Sequence, residues 1–418
     1  MPLRTPDESQ RTGALAPAIS DGGPPRREAG APATLPAALR RAARESPGSG
    51  IVYIEPDGSE TFQSYSALQE EAERILAGFR RLGLKPQYKV LFQLARLQNF
   101  IVTFWGCNLC GIVPVPISIA PDYTSENNVV SKLHNAWQML DRPVILADEA
   151  LAPSIRSSFD RFGSGSPRVA SVEPLRLGER DCQWHDCRPD DLALLLLTSG
   201  STGRPKAVMQ SHRGLACRSA GTIHLNRFSR DDTSLNWLPL DHVGGIVMFH
   251  IRDVFLGCRQ IQVSTERVLQ DPLVWLDLIE HFRASVTWAP NFAFGLMNSK
   301  QEQIKQRSWD LSSMRFILNG GEAIVARTAR RFLGLLEPHG LPATSIHPAW
   351  GMSETSSGVT YSDRFSLAST ADDDPFVEVG APIPGVSMRI VDAQDGVVEE
   401  GVIDDAVDEF HGRHAGSF

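Results

Sequence analysis

Residues 192–208 read LALLLLTSGSTGRPKAV. An unbroken apolar run from Leu192 to Leu197 gives way at once to glycines and small hydroxyl residues. A run this short, bounded by glycine, predicts a buried strand feeding a tight loop. Gly200 and Gly203 let the backbone come close to a ligand, while Ser199, Ser201, Thr202 and Lys206 supply donors and one positive charge. Those are the parts of a phosphate cradle. The same composition also suits a loop that merely links a strand to the next element.

Outward from this stretch, the chain alternates short apolar runs with helical periodicity. Upstream, IVYIE from Ile51 and the DGSETFQ that follows predict two strands; Leu68, Ala72, Ile75, Phe79 and Leu82 predict an amphipathic helix opened by Ser66 with Gln69 and closed by Gly83. KVLFQL, a helix over 98–110 and GIVPVPI then make a βαβ unit, continued by a helix over 125–140, the strand PVILAD and a helix over 149–162. Residues 163–190 are polar and less regular. Downstream come TSLNWLPL, a helix from 244, RQIQV, a helix over 272–283, SVTWAP, a helix from 290, MRFIL, and a helix beginning near Glu322. The expected class is α/β, with two βα-rich subdomains of mostly parallel sheet, about 32–180 and 181–375, and a small β element from about 376. Residues 1–31, rich in Pro, Ala, Gly and Arg, read as a disordered tail.

Composition narrows the function. The chain has 418 residues and a formal net charge of −8, which argues against a general nucleic-acid binder with its basic face. No apolar run approaches the roughly 18 residues of a membrane helix, and the N-terminus lacks the apolar core of a secretory signal. Six cysteines in this length do not make a disulfide scaffold, so a cytoplasmic setting is the default. Cys107 and Cys110 form a CxxC, but inside the apolar segment FIVTFWGCNLCGIVPVPI, where cysteine acts as a small core residue. Cys182 and Cys187, bracketing His185, lack the usual zinc-ligand spacing.

A Walker A loop needs lysine directly after its second glycine, and here Arg204-Pro205-Lys206 follows Gly203, which disfavours a P-loop kinase. The stretch instead closely resembles the TSG[ST]TG-x-PKG signature of the adenylate-forming superfamily, with Ala207 for the final glycine. That superfamily comprises acyl-CoA synthetases, luciferase-like enzymes, fatty acyl-AMP ligases and the adenylation domains of peptide and polyketide synthetases. Four further segments match in order. WLPLDHVGG at 237–245 resembles WLPLxHxxG, which implies that His242, Val243 and Gly244 line the acyl pocket, with His242 near the substrate carboxylate. A histidine in an apolar stretch also suits a satisfied packing or capping residue. DLSSMRFILNGGEAI at 310–324 implies an adenine site at Gly320, Gly321 and Glu322, with Asn319 beside the substrate; successive glycines would let a flat ring lie on bare backbone. Glu322 equally suits a helix N-terminus.

Trp350-Gly351-Met352-Ser353-Glu354 resembles YGxTE. The match implies ATP contacts from Trp350, Gly351 and Ser353, substrate contacts from Trp350 and Met352, and Mg²⁺ held by Glu354; one carboxylate with ATP phosphates is enough for that cation. FVEVGAPIPGVSMRI at 376–390 resembles VGxPxPG, a structural turn. The implied catalytic set is Thr198, Lys206, Ser353 and Glu354, with ATP and Mg²⁺ as cofactors. The implied reaction is activation of a carboxylic acid as acyl-adenylate with release of pyrophosphate, for transfer to a carrier-protein or CoA thiol.

The resemblance covers about 32–390, the large N-terminal domain. The last residues show no TGD motif, hinge or C-terminal lid with its catalytic lysine, so the lid is expected to be absent and full turnover by this chain alone is left in question. A degenerate nucleotide- or acyl-binding module without catalysis is the alternative. Phe292, Phe294, Met297 and Trp350 suggest an apolar pocket wall for a hydrophobic acid, though each also suits an ordinary core. Asp241-His242 in place of a Phe-Asp segment tilts the substrate from amino acids toward non-amino acids, with aryl or amino acid as the alternative.

Overall fold

The computed structural model describes residues 16–25, 30–163, 165–199 and 205–400. Two main sheets form, both fed by the apolar runs of the sequence. The smaller is all parallel, in the order Val113–Pro116, Lys89–Gln93, Val144–Ala147, Val169–Ser171. Its strands are apolar on both faces because helices cover both, as parallel sheets require.

The larger sheet has nine strands. Six run parallel through its middle, from Ile346–Met352 through Phe316–Asn319, Val286–Trp288, Thr233–Asn236 and Arg259–Val263 to Gly50–Ile54. Antiparallel strands close it, Glu60–Ser64 at one edge and Ser357–Tyr361 with Ala381–Pro382 at the other. The α/β class with mostly parallel sheets and a small β element is thus observed.

The boundary between the two halves differs from expectation. Gly50–Ile54 and Glu60–Ser64, expected in the first half, belong to the sheet of the second. Sequence order places them beside KVLFQL, but pairing is decided by the partner edge that buries both faces, and all five residues of Gly50–Ile54 are buried against Arg259–Val263. Residues 19–21, expected within a disordered tail, form a short strand antiparallel to Ser387–Arg389. Backbone pairing asks little of side chains, so composition does not reveal it.

Helix Tyr65–Arg81 buries Leu68, Ala72, Ile75, Leu76 and Phe79 on one face, and Gly83 follows at φ +75°. Its cap is Ser64, not Ser66: the Ser64 hydroxyl accepts from Ala67 N at 3.1 Å, while Ser66 Oγ donates to Ala43 O. Helix Leu97–Cys110 is buried almost all round, and Cys107 and Cys110 sit in its core-packed face as small apolar residues. Residues 244–251, GGIVMFHI, form a π-helical turn, also fully buried. Its His250 takes a hydrogen bond from Trp105 Nε1 at 2.8 Å and bonds Gln260 through Nδ1 at 2.9 Å, tying the two halves together. Burial holds this imidazole down at a pKa of about 4, against the opposing Gln260 bond.

Leu192–Ser199 and Pro205–Ser211 form an antiparallel hairpin between the two layers. Leu194 and Leu196 pack with Ile75, Trp105 and Val247, while Leu195 packs with Leu91, Val113 and Ile145. Two cores on opposite faces explain why the run carries no polar alternation. Among the described residues no helix is long and apolar enough to cross a membrane.

Candidate active site

A cavity of about 430 Å³ opens where the central strands end. The C-terminal ends of Val286–Trp288, Phe316–Asn319 and Ile346–Met352 deliver Trp288, Leu318, Gly320, Gly321 and Ala349 to Glu354. Carboxyl ends of parallel strands are where ligand crevices form in open α/β sheets. The hairpin contributes Thr198 and Lys206, which are register partners, so donor and cation lie side by side. His242 and Val243 enter from the segment before the π-helical turn, and Ser357 and Gly358 from the antiparallel strand Ser357–Tyr361.

Of the residues singled out in the sequence, Thr198, Lys206, His242, Val243, Gly320, Gly321, Trp350, Gly351, Met352, Ser353 and Glu354 therefore share one cavity. Gly200, Ser201, Thr202 and Gly203 lie outside the described residues, and Ser199 is described only as the end of its strand.

Others fall elsewhere. Phe294, expected on the pocket wall, is fully buried in the core and stacks on Phe332 at 4.3 Å. Met297 shares that core, and Phe292 is exposed with its ring edge-on to Trp237. A helix turning once per 3.6 residues cannot present all three to one cavity, and the core claimed two. Asn319 is buried behind the strand end, with Nδ2 donating to Ala289 O at 2.9 Å. Glu322 is exposed and accepts from Phe292 N at 2.6 Å; it caps the start of helix Asn291–Ser299 rather than lining the cavity, and the helix expected near it begins at Ala326. Gly244 lies one step behind the lining, pressed on the Trp288 ring.

Trp288 was not foreseen, although a residue ending a parallel strand is a candidate by position alone. Its ring stacks on Phe249 with an interplanar angle of 15°, and its Nε1 donates to Gly320 O at 3.3 Å. Gly320 is required by protein packing, since a Cβ there would fall 2.5 Å from Ala349 O; Gly321, at φ +88°, turns the chain over the Trp288 ring. The cavity floor is therefore one aromatic plane edged by bare backbone.

His242 is held by its own backbone: Gly244 N donates to Nδ1 at 3.1 Å, so the neutral ring carries its proton on Nε2. Burial lowers its pKa, Asp241 opposes this, and nearby Lys132 adds to it. The ring is thus a neutral donor near pH 7 rather than a cation.

Ser353–Thr355 forms one turn of 3₁₀ helix between the two antiparallel strands. Among the described residues, the Glu354 carboxylate and the Lys206 ammonium have no hydrogen-bond or ion-pair partner, and they are the lining residues of fixed opposite charge. A half-exposed, unpaired carboxylate suits a divalent cation that keeps most of its waters and takes its other ligands from phosphates. No cluster of three metal-ligating side chains occurs among the described residues.

The sequence profile of AMP-binding enzymes matches residues 39–403. The nonribosomal peptide synthetase btyA of Aspergillus terreus (strain NIH 2624 / FGSC A1156) is 32% identical over 375 residues, covering 86% of this chain and 39% of that protein. This chain thus spans about two fifths of that relative's length. Among solved structures, the adenylation domain of a keto acid-selecting NRPS module bound to keto acyl adenylate is 41% identical with a TM-score of 0.87, covering 91% of this chain and 73% of that one. McyG A-PCP complexed with phenylalanyl-adenylate is 42% identical with a TM-score of 0.89, covering 92% and 60%. With the profile, fold and order of motifs in agreement, the chain belongs to the AMP-binding family of adenylate-forming enzymes, over their large N-terminal domain.

Proposed function

We propose that this chain activates a carboxylic acid with ATP. The substrate carboxylate attacks the α-phosphorus in line, forming a mixed anhydride with AMP as the bond to the pyrophosphate oxygen breaks. The observation that carries this reading is that Thr198 and Lys206, the Gly320–Gly321 backbone and the Ser353–Glu354 turn line one cavity, although the sequence puts the glycines more than a hundred residues after Lys206 and the turn later still.

The protein's part is to bring two anions together and stabilise the charge that develops. Lys206 offsets phosphate charge, with Thr198 and Ser353 as hydroxyl donors. The Trp288 plane gives the acyl group an apolar resting surface, and the two glycines leave bare backbone for adenine. His242, neutral and bearing Nε2–H, donates to the substrate carboxylate and positions it without taking a proton. Glu354, together with phosphate oxygens, would hold Mg²⁺, which would supply charge neutralisation at the leaving group.

The acid is a non-amino acid, and an α-keto acid is the favoured class. An ammonium in this cavity needs a carboxylate, because a buried unpaired charge is costly. Glu354 is the one carboxylate among the described lining residues, and in this reading it would hold the metal. The keto acid selectivity named for the 41% identical domain points the same way. The product is handed to a thiol, and the A-PCP arrangement of the 42% identical structure favours a carrier-protein thiol over CoA.

Pyrophosphate exchange over a panel of keto, aryl, fatty and amino acids, with calorimetric ATP binding alongside, tests the reading. Exchange is expected with keto acids first. Nucleotide binding with no exchange for any acid would leave a binding module instead.

A further inference from the structure

Gln210 lies on the same hairpin strand as Lys206 and is 2% exposed. Its amide is used wholly outside that hairpin. Nε2 donates to the Ser353 carbonyl at 2.6 Å, and Oε1 accepts from the Ser356 hydroxyl. These bonds join positions 143 and 146 residues away in sequence and clasp both ends of the turn that presents Ser353 and Glu354 to the cavity. A leucine would serve a buried strand position without any need for partners. A buried amide is retained at low cost only when both its ends are satisfied, as they are here.

The clasped turn needs holding. Ser356 at φ 57° and Ser357 at φ 96° are consecutive non-glycine residues in left-handed space, which persists only where the surroundings over-determine it. Within the turn, Thr355 Oγ1 accepts from Met352 N at 3.0 Å and lies 2.8 Å from the Ser357 carbonyl. Gly351 completes the fit, since a Cβ there would fall 2.1 Å from that same Ser357 oxygen. Among the described residues Gln210 is the side chain that ties this turn from outside, and it comes from the strand that carries Lys206.

We propose that Gln210 is a positioning residue for the acid-activating reaction, on which this inference rests. It fixes the Ser353 hydroxyl and the Glu354 carboxylate at a set distance from Lys206. One strand thereby places both the cation and the metal-binding turn around the triphosphate. The acyl side of the cavity, with His242 and Trp288, is untouched by this tie, so its loss falls on Mg·ATP and spares the acid.

Gln210→Leu in the full chain keeps volume and burial while removing both bonds. Pyrophosphate exchange in this variant is expected to need about tenfold more Mg²⁺ for half-maximal rate and to show a raised KM for ATP, with the KM for acid unchanged. Ser356→Ala removes one bond, and combined with Gln210→Leu it is expected to add little, because the two residues act as one unit. A readout independent of turnover is hydrogen exchange: amides of 353–358 are expected to exchange about tenfold faster in Gln210→Leu, while those of 206–209 hold. An unchanged Mg²⁺ requirement, or a KM for acid that rises in step with that for ATP, would overturn the proposal. If the wild-type chain gives no exchange with any acid, the acid-activation reading fails instead, and unaltered protection of 353–358 would then by itself overturn the clasp.

Discussion

Gly244 packs so tightly on Trp288 that a Cβ built on it would fall 1.6 Å from a ring carbon. The ring cannot retreat freely, because Phe249 stacks with it and its Nε1 is bonded to Gly320 O. Gly244→Ala is therefore expected to cost about 1–3 kcal/mol of stability and to tilt the cavity floor, raising the KM for acid more than that for ATP. Urea unfolding and exchange kinetics check both parts. A variant with the wild-type midpoint and acid KM would show that the floor is not so constrained.

Glu354→Gln keeps shape and removes the charge. Exchange is expected to fall by about 10²-fold or more while thermal stability stays put, since the carboxylate has no partner among the described residues to lose. Persisting exchange at the wild-type rate would remove Glu354 from the metal site.

Phe294→Ala tests the opposite kind of residue. Deleting a fully buried ring stacked on Phe332 is expected to cost about 3–5 kcal/mol and leave the ranking of acids unchanged. A changed acid profile at retained stability would return Phe294 to the pocket wall.

Acid sensitivity follows from two buried imidazoles. His250, and His212, which accepts from Leu35 N at 3.2 Å, are both held by burial at a pKa of about 4. Unfolded, each titrates near 6.5. Between those values the unfolded chain binds protons the folded chain refuses, so stability is full above pH 6.5 and declines as pH falls toward 4, by up to about 3 kcal/mol per group. Unfolding free energies measured from pH 7.5 to 4.5 are expected to decline, and His250→Gln is expected to flatten the decline. An unchanged slope in that variant would mean His250 is not one of the groups responsible.

Much of the site was legible because its residues fall at punctuation: glycine runs and polar clusters directly after apolar strands, where chain direction and close approach are both encoded locally. Lys206, Gly320 and Glu354 were readable in that way. Trp288 was not, since a tryptophan ending a strand has no local mark that separates a cavity floor from a core. Gln210 was hidden for the same reason, its partners being 143 and 146 residues off. Phe294 and Asn319 failed in the other direction, because proximity in sequence to a site says nothing about which face of a helix or strand they occupy. The order of strands in the larger sheet was equally silent, being a property of pairing partners rather than of any single run.

That order has a consequence for how the protein is made. Ile51 finds one sheet neighbour close by at Gln63, but the other only at Gln260, some two hundred residues later. A ribosome releasing this chain exposes an apolar hairpin with one long edge unmated until the second half of the chain emerges. Long-range pairing of this kind slows assembly and leaves that edge open to wrong partners until it is covered.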